Sequence, residues 1–288
     1  MEDTHTLEIR VENLSYVYNP GTPLQINALE DVNFVLPAGK VLGILGGTGS
    51  GKTTLIKNLN GLLLPTKGRV LVDDVESSQY GAGLRRKVGI VFQRPERQLF
   101  ESTVARDISF ALRRFSELNE AAIQDRVRAA AGLVGLDIEV VAERSPVELS
   151  GGEKRKAAIA GVLVNDPEVL ILDEPAVGLD LPSITELVAF VRQLNESKGR
   201  TVVIVSHDME AFLPVLNLLM VLSDGRVAAF GHPGEVCEAL GEDAAMRNLL
   251  PGLALLIQDL RKAGYPISET EVNIPVLVDR LLQLRGTI

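Results

Sequence analysis

The 288-residue chain lacks tryptophan, has a single cysteine and contains only 4% aromatic residues. Cys237 therefore has no partner for an internal disulfide bond, which fits a reducing compartment, and we interpret it as a small filler residue. So few aromatic side chains leave little material for stacking nucleic-acid bases. Basic residues are also scarcer than acidic ones, 29 against 38, giving a net charge of −9. That charge disfavours both nucleic acid and an anionic lipid surface as direct partners.

Long apolar runs are absent as well. The nearest approach to a membrane span, residues 212–222, is interrupted by Pro214 and Asn217 and is shorter than the roughly 18 residues that a span requires. The first residues, MEDTHTLEIR, are acidic where a signal peptide has basic residues, and an apolar segment does not follow them. We therefore expect neither secretion nor a membrane span.

What the chain does contain is an α/β pattern, with 46% hydrophobic residues and a length that suits about two domains or one domain with an appendage. Residues 7–19 and 28–36 alternate like strands and predict an N-terminal antiparallel β subdomain. Runs such as VLIL and VVIV do not alternate, which indicates strands covered on both faces and hence a parallel sheet between helices. The core strands are predicted at residues 40–45, 88–92, 169–172, 201–205 and 225–230.

Two further segments have a helical character. Residues 100–148 are rich in Ala, Arg, Glu and Leu at helical spacing, and predict a helical insertion subdomain within about residues 95–150. Beyond residue 249, four apolar side chains fall on one helical face, GYP then breaks the helix, and residues 276–284 begin another. We expect a main domain over residues 7–240 and a helical extension over residues 241–288. The apolar face of the extension comprises Leu253, Leu256, Ile257 and Leu260.

The segment GGTGSGKT matches G-x-x-x-x-G-K-[ST] between a buried strand and a helix, as a P-loop requires. Glycines let successive backbone N–H groups face one cavity, and the helix N-terminus adds its positive end, so phosphate is the expected occupant. Lys52 would reach the β and γ phosphates, and the Thr53 hydroxyl would ligate Mg²⁺. The predicted ATP-binding residues here are Gly46, Gly47, Thr48, Gly49, Ser50, Gly51, Lys52, Thr53 and Thr54.

A second acidic element follows the apolar run VLIL, where Asp173 and Glu174 begin the sequence DEP. Open α/β sheets bind ligands at the carboxyl ends of their strands, so Asp173 is the expected second metal anchor beside the P-loop. Glu174 is the candidate general base that polarises an attacking water.

The segment LSGGE narrows the prediction from a general nucleotide-binding fold to one family, because it resembles the LSGGQ signature of the ATP-binding-cassette (ABC) ATPases. Ser150 at a helix start, followed by Gly151 and Gly152, exposes amides and a hydroxyl to a second phosphate. In that family this site faces the ATP held by a partner chain. The resemblance extends over nearly the whole chain and adds three landmarks at matching positions. They are Gln93 as the loop glutamine that senses the γ-phosphate and Mg²⁺, Asp180 in the loop between subunits, and His207 as the switch histidine.

Smaller features remain open within this resemblance. Tyr18 is the expected adenine-stacking aromatic, with Tyr16 as the competing candidate. Glu153 replaces the usual glutamine of the signature, and AVGLD stands where SALD is common, but neither change removes a phosphate or metal ligand. Arg85, Arg86 and Lys87 are interpreted as a solvated face.

Within the family, FQRPERQLFESTVARDISFA is similar to the segment that follows the loop glutamine in ATPases of energy-coupling-factor (ECF) transporters and their cobalt and nickel relatives. The start YVYNPGTPLQINAL and the two-helix extension fit the same subfamily. The resemblance implies an ATP- and Mg²⁺-dependent hydrolase at the cytoplasmic face of the membrane. Its partners would be a second ATPase subunit, identical or related, a transmembrane energy-coupling subunit and a substrate-binding membrane subunit for a vitamin or transition-metal ion. It implies a dimerisation role for residues 241–288.

Two other functions compete with that expectation. A soluble, non-transport ABC ATPase in regulation or nucleic-acid processing would share the nucleotide motifs, but the negative charge and FQRPERQLF disfavour it. A P-loop GTPase or kinase has no use for LSGGE.

Overall fold

The computed structural model describes residues 7–268 and 274–285. Its strands are β1 (Ile9–Tyr18), β2 (Ile26–Leu36), β3 (Val41–Leu45), β4 (Lys67–Val72), β5 (Val75–Glu76), β6 (Val88–Val91), β7 (Val169–Asp173), β8 (Thr201–Ser206), β9 (Leu218–Ser223) and β10 (Arg226–Gly231). They form two sheets. The first is antiparallel, in the order β2-β1-β4-β5, and the second has the order β10-β9-β3-β8-β7-β6.

The second sheet is the core of the molecule. Its strands β9, β3, β8, β7 and β6 run parallel, while β10 pairs antiparallel with β9 at the edge. All residues of β3, β6, β7 and β8 are buried, because helices cover one face and the antiparallel sheet with the first helix covers the other. The predicted α/β fold with a parallel sheet and an antiparallel subdomain is confirmed.

The helices alternate with these strands. Their bounds are α1 (Lys52–Leu59), α2 (Ser77–Tyr80), α3 (Leu84–Lys87), α4 (Val104–Phe115), α5 (Glu120–Leu133), α6 (Ile138–Val141), α7 (Gly151–Leu163), α8 (Leu181–Lys198), α9 (Pro233–Leu240), α10 (Ala244–Arg247), α11 (Gly252–Lys262) and α12 (Ile274–Arg285). Helices α4, α5 and α6 occupy the segment in which the sequence predicts a helical insertion, and α4 and α5 both pack on α7. In the described part of the chain, none of these helices is long and apolar enough to cross a membrane.

The helical extension packs partly on the main domain. Leu253 and Ile257 of α11 are buried in the large core cluster, and Gly264 ends this segment at the predicted GYP break. Leu256, expected on the same face, is instead 48% exposed.

Cys237 on α9 is buried in the same core, and burial raises the pKa of its thiol to about 12. Its role as a core filler is therefore consistent with its surroundings.

Some elements differ from the sequence prediction. Strands β4, β5 and β9 are missing from it. Strand β9 begins within the apolar run at residues 212–222, and the first residues of that run belong to the 3-10 turn Glu210–Val215. Among the three basic residues of α3, Arg86 donates to the carbonyl of Phe115 and Lys87 pairs with Glu168 at 2.7 Å. That basic segment is thus partly tied to the fold, not simply solvated.

Candidate active site

Four parallel strands end at one edge of the main sheet and carry most of the predicted nucleotide residues. Leu45, the last residue of β3, pairs with Ser206 of β8, and Asp173 of β7 pairs with Val205. Gln93 lies two residues beyond Val91, which ends β6 beside β7. The P-loop, Asp173, Glu174 and His207 therefore emerge side by side at the carboxyl ends of β3, β7 and β8, the edge at which open α/β sheets bind ligands.

The P-loop wraps around the ammonium group of Lys52. This side chain is only 8% exposed, and its Nζ donates to the carbonyl oxygens of Gly46 at 2.7 Å and Gly47 at 2.9 Å. Gly51 precedes α1 with φ of +102°, and a Cβ there would lie 2.6 Å from the carbonyl oxygen of Ala28, so the turn into the helix requires glycine. Burial lowers the pKa of Lys52, opposed by the negative charges of Glu174 and Asp173. The loop therefore holds a buried cation whose present partners are neutral carbonyls.

Asp173 is a buried carboxyl group at the end of β7, 6% exposed. Burial and then the charge of Glu174 raise its pKa, against smaller lowering effects from Lys52, Lys57 and a hydrogen bond from the Thr53 hydroxyl. The positive charges of Lys52 and Lys57 do not compensate for the burial of an ionised carboxylate at this position. A divalent cation would supply further positive charge, and a carboxylate with an adjacent hydroxyl is an oxygen donor set that Mg²⁺ prefers.

Glu174 occupies a strained backbone position that fixes its carboxylate. Its φ is +49°, and its N–H donates to the carbonyl of Val205 at 2.8 Å. Its Oε2 accepts from the Ser206 hydroxyl at 3.2 Å and lies 2.8 Å from Nδ1 of His207. Since an ionised carboxylate only accepts hydrogen bonds, Nδ1 carries the proton in this pair. The side chain of Glu174 is 13% exposed and that of His207 is 60% exposed. A largely buried carboxylate thus meets a more accessible imidazole.

The sequence analysis missed Ser206. Its hydroxyl bonds to Glu174 and also accepts from the backbone N–H of Asp208 at 3.1 Å. It therefore ties the candidate base to the turn that carries His207. A hydroxyl directly before the histidine, at the end of a buried strand, is the signal that could have identified it.

The P-loop has space and donors for phosphate. The buried Ser50 Oγ has no hydrogen-bond partner among the described residues, which is unusual for a buried hydroxyl. On the Cβ side of Gly47 and of Gly49, the described part of the chain leaves at least 4 Å of open space. Together with the start of α1, these features fit a bound polyphosphate, and Thr53 with Asp173 fits its Mg²⁺.

The two candidate adenine-stacking tyrosines lie in different surroundings. The Tyr18 hydroxyl is 3.2 Å from Oγ1 of Thr54, directly behind the P-loop. Tyr16 packs against the core under the antiparallel sheet, and the two rings meet edge to face with centroids 4.8 Å apart. Of the two, Tyr18 is therefore the one that contacts a residue of the P-loop segment, and its ring packs on that of Tyr16.

The signature segment begins α7 with a capping box. Ser150 is the N-cap, and its N–H and Oγ donate to one carboxylate oxygen of Glu153 at 2.8 and 2.7 Å, while the N–H of Glu153 donates back to Oγ at 3.3 Å. Ser150 and Gly152 are exposed, as is Gly151. These hydrogen bonds lower the pKa of Glu153. The start of α7 is thus exposed, and the N–H and hydroxyl of Ser150 donate to a carboxylate of the same helix.

The two remaining predicted residues lie in segments that follow core strands, Gln93 after β6 and Asp180 after β7. The carboxylate of Asp180 caps α8 by accepting from the N–H of Ser183 at 3.0 Å, and the Gln93 side chain is exposed. A groove of about 790 Å³ connects His207 and Gly178 with Leu181 and extends to Leu253 and Ile274 of the helical extension. The loop before α8, His207 and the extension therefore share one largely apolar surface.

Comparison with known proteins identifies the family. The ABC transporter family matches residues 29–177. The chain is 38% identical to the energy-coupling factor transporter ATP-binding protein EcfA2 of Clostridium tetani over 96% of this chain and 97% of that one. It is 42% identical to EcfA2 of Symbiobacterium thermophilum over 98% of this chain and 97% of that one.

Solved structures agree with this assignment. CbiO1 of Clostridium perfringens, described as part of the ABC transporter complex cbiONQ, has a TM-score of 0.71 and 37% identity over 87% of this chain and 98% of that one. The dimeric structure of MJ0796, a bacterial ABC transporter cassette, has a TM-score of 0.69 and 28% identity over 78% of this chain and 98% of that one. The chain therefore belongs to the ABC transporter ATPases and, among them, to the energy-coupling factor transporter ATP-binding proteins.

Proposed function

We propose that this chain binds MgATP at the carboxyl edge of its main sheet and hydrolyses it with Glu174 as the general base. The observation that carries the proposal is the carboxylate of Glu174, held 2.8 Å from His207 and next to the buried Asp173. The P-loop, from Gly46 through Thr54, holds the phosphates, with Lys52 turning from its carbonyl partners to the β and γ phosphates. Tyr18 stacks on adenine.

The chemistry assigned to these residues is proton removal and charge stabilisation. Glu174 accepts a proton from the attacking water, while Ser206 and His207 hold its carboxylate in place. Lys52 and the start of α1 stabilise negative charge that develops on the γ-phosphoryl oxygens. Thr53, Asp173 and Gln93 would hold Mg²⁺, which neutralises phosphate charge when it is bound.

The complete site in this proposal includes a second ATPase subunit, because Ser150 is exposed at the start of α7 and its side chain bonds only to Glu153 among the described residues. We assign Ser150, Gly151 and Gly152 to the γ-phosphate of ATP held by the partner subunit, in a head-to-tail dimer. Asp180 belongs to the loop between subunits. The groove shared by His207, Leu181 and Leu253 supports a dimer surface that continues onto residues 241–288.

The carboxylate of Glu153 is expected to weaken ATP-driven association. It occupies the N–H and hydroxyl of Ser150, and its negative charge lies at the helix end assigned to the partner's phosphate. In Glu153→Gln the amide oxygen can still accept both bonds, so we expect an unchanged melting temperature. We expect the ATP concentration for half-maximal association to fall about two- to fivefold.

Association is measured by light scattering in a Glu174→Gln background that prevents turnover. Glu153→Ala serves as the control, because it removes both the charge and the cap. A higher ATP requirement in Glu153→Gln than in the parent would contradict the assignment of this helix end to phosphate.

The relatives named as ECF ATP-binding proteins support a role in an importer. We propose that the dimer works at the cytoplasmic face of the membrane with a transmembrane energy-coupling subunit and a substrate-binding membrane subunit. The transported solute would be a vitamin or a transition-metal ion. Residues 93–104 form the contact with the transmembrane subunit, because they connect the Gln93 loop with α4 and expose Phe100.

Charged residues in this contact should uncouple transport from ATP binding. We expect Leu99→Glu and Phe100→Glu each to reduce substrate uptake and membrane association at least about tenfold. The reason is the free-energy cost of removing an unpaired charge from water at an apolar contact. ATP affinity should stay within about twofold of wild type, since binding at the P-loop is unchanged. Phe115→Glu, at an exposed phenylalanine on the other end of α4, is the matched control. Retention of uptake, association and ATP binding together would contradict the proposed contact.

A further inference from the structure

One buried carboxylate outside the nucleotide site holds an exposed loop in place. Asp107 lies in the first turn of α4 and is only 9% exposed. Its Oδ2 accepts the backbone N–H of Phe100 at 3.0 Å and that of Glu101 at 2.9 Å. Burial raises the pKa of this carboxyl group, and the two N–H donors oppose that effect. Asp107 therefore fixes the end of the loop that precedes the helix.

The same loop is fixed to α4 a second time. Phe100 is 66% exposed, and its ring meets that of Phe110 edge to face, with centroids 4.9 Å apart. Phe110 lies one turn beyond Asp107 on α4. The exposed ring of Phe100 is thus presented on the helix by one backbone attachment and one aromatic contact.

Helix α4 is in turn packed closely on the signature helix α7. A Cβ placed on Gly161 would lie 3.8 Å from Cα of Ile108 and 3.9 Å from the carbonyl oxygen of Asp107, so the two helices approach at the turn that contains Asp107. Helix α7 begins beside Ser150. Contacts therefore connect the Phe100 loop, through Asp107, with the C-terminal part of α7, the helix that the signature segment begins.

We propose that Asp107 is a positioning residue that fixes the Phe100 loop to α4, so that displacement of this loop by the membrane partner moves α4 and α7 as one body. Interior packing transmits such displacements because it deforms little. The part played by the membrane partner rests on the proposed transport function. The attachment of the loop by Asp107 does not.

The first test is amide hydrogen exchange in the purified full-length chain. Hydrogen bonds to Asp107 should make the amides of Phe100 and Glu101 exchange at least about tenfold more slowly than free loop amides. In Asp107→Ala both amides should lose that protection while α7 keeps its own. Asp107→Asn, whose amide oxygen can still accept, should restore most of it. Asp125→Ala, at an exposed aspartate on α5, is the control.

The second test uses the complex with its membrane subunits. We expect Asp107→Ala to reduce uptake per ATP hydrolysed at least about fivefold, with basal ATPase activity within about twofold of wild type, and Asp107→Asn to recover coupling. Fast amide exchange of Phe100 and Glu101 in the wild-type chain overturns the proposal. Full coupling of uptake to hydrolysis in a folded Asp107→Ala complex overturns it as well. Failure of the wild-type chain to join any membrane subunit would instead refute the transport function and leave the exchange result to judge Asp107.

Discussion

Glu174→Gln is expected to bind MgATP within about twofold of wild type and to hydrolyse it about 10²- to 10⁴-fold more slowly. The amide cannot accept the proton of the attacking water. It can still accept from the Ser206 hydroxyl and from Nδ1–H of His207, so the strained turn at Glu174 keeps both of its side-chain attachments. The loss should therefore appear in the chemical step and not in binding or folding.

The measurement combines ATP binding at equilibrium with single-turnover hydrolysis on the same preparation. Glu196→Gln makes the identical chemical change at an exposed position of α8 and should leave both quantities unchanged. Normal turnover in Glu174→Gln removes this residue from its assigned role. A parallel loss of ATP binding would mean that Glu174 supports the P-loop instead of the reaction.

Asp173→Asn is expected to lose activity and gain stability. Hydrolysis should fall at least about 100-fold, because the proposed second oxygen anchor for Mg²⁺ loses its charge. Without nucleotide and metal, the melting temperature should rise by about 2–4 °C, the shift that roughly 1 kcal/mol produces in a chain of this size. The reason is that burial raises the pKa of Asp173 in the fold, so its ionised form destabilises the apo protein.

The pH dependence gives the sign of this effect. A raised pKa means that the folded state loses stability as pH rises from the ordinary carboxyl range near about 4 through the raised value. The higher melting temperature of Asp173→Asn relative to wild type should be fully present above the raised pKa and disappear at acid pH, where wild-type Asp173 becomes protonated.

Asp180→Asn is the matched control. Hydrogen bonds from Ser183 lower the pKa of Asp180, so its neutralisation should leave the melting temperature unchanged or lower. Equal melting temperatures for wild type and Asp173→Asn across this range would contradict the account of a destabilising buried charge.

The sequence predicts well which segments emerge at the carboxyl edge of the sheet, for physical reasons. Buried parallel strands are continuous apolar runs, and a glycine-rich turn or an acidic pair that follows one must emerge at the carboxyl edge. The bounds of β3, β7 and β8 fall within one residue of the predicted segments. Ser150 is likewise the N-cap of a helix, as its residue type and position predict.

The misses have equally physical causes. Strand β9 was hidden in an apolar run that begins as a 3-10 turn, because apolar composition alone does not separate strands from buried turns. Leu256 has the periodicity of the buried face, yet the orientation of α11 on the main domain leaves it exposed. The attachment of the Phe100 loop depends on how that loop folds back on Asp107 at the start of α4, and composition and spacing carry no direct sign of it. The bond from Ser206 to Glu174 joins the ends of β8 and β7, and in the sequence only the position of a hydroxyl directly before the histidine indicates it.

The most direct test of the account is affinity purification of the tagged chain from detergent-solubilised native membranes, with identification of the co-purifying chains and an MgATP hydrolysis assay of the eluate. We expect a transmembrane energy-coupling subunit, a substrate-binding membrane subunit and a second ATPase to co-elute, with hydrolysis that Glu174→Gln abolishes. Recovery of the chain alone, or with nucleic acid and soluble proteins only, would contradict its assignment to an importer.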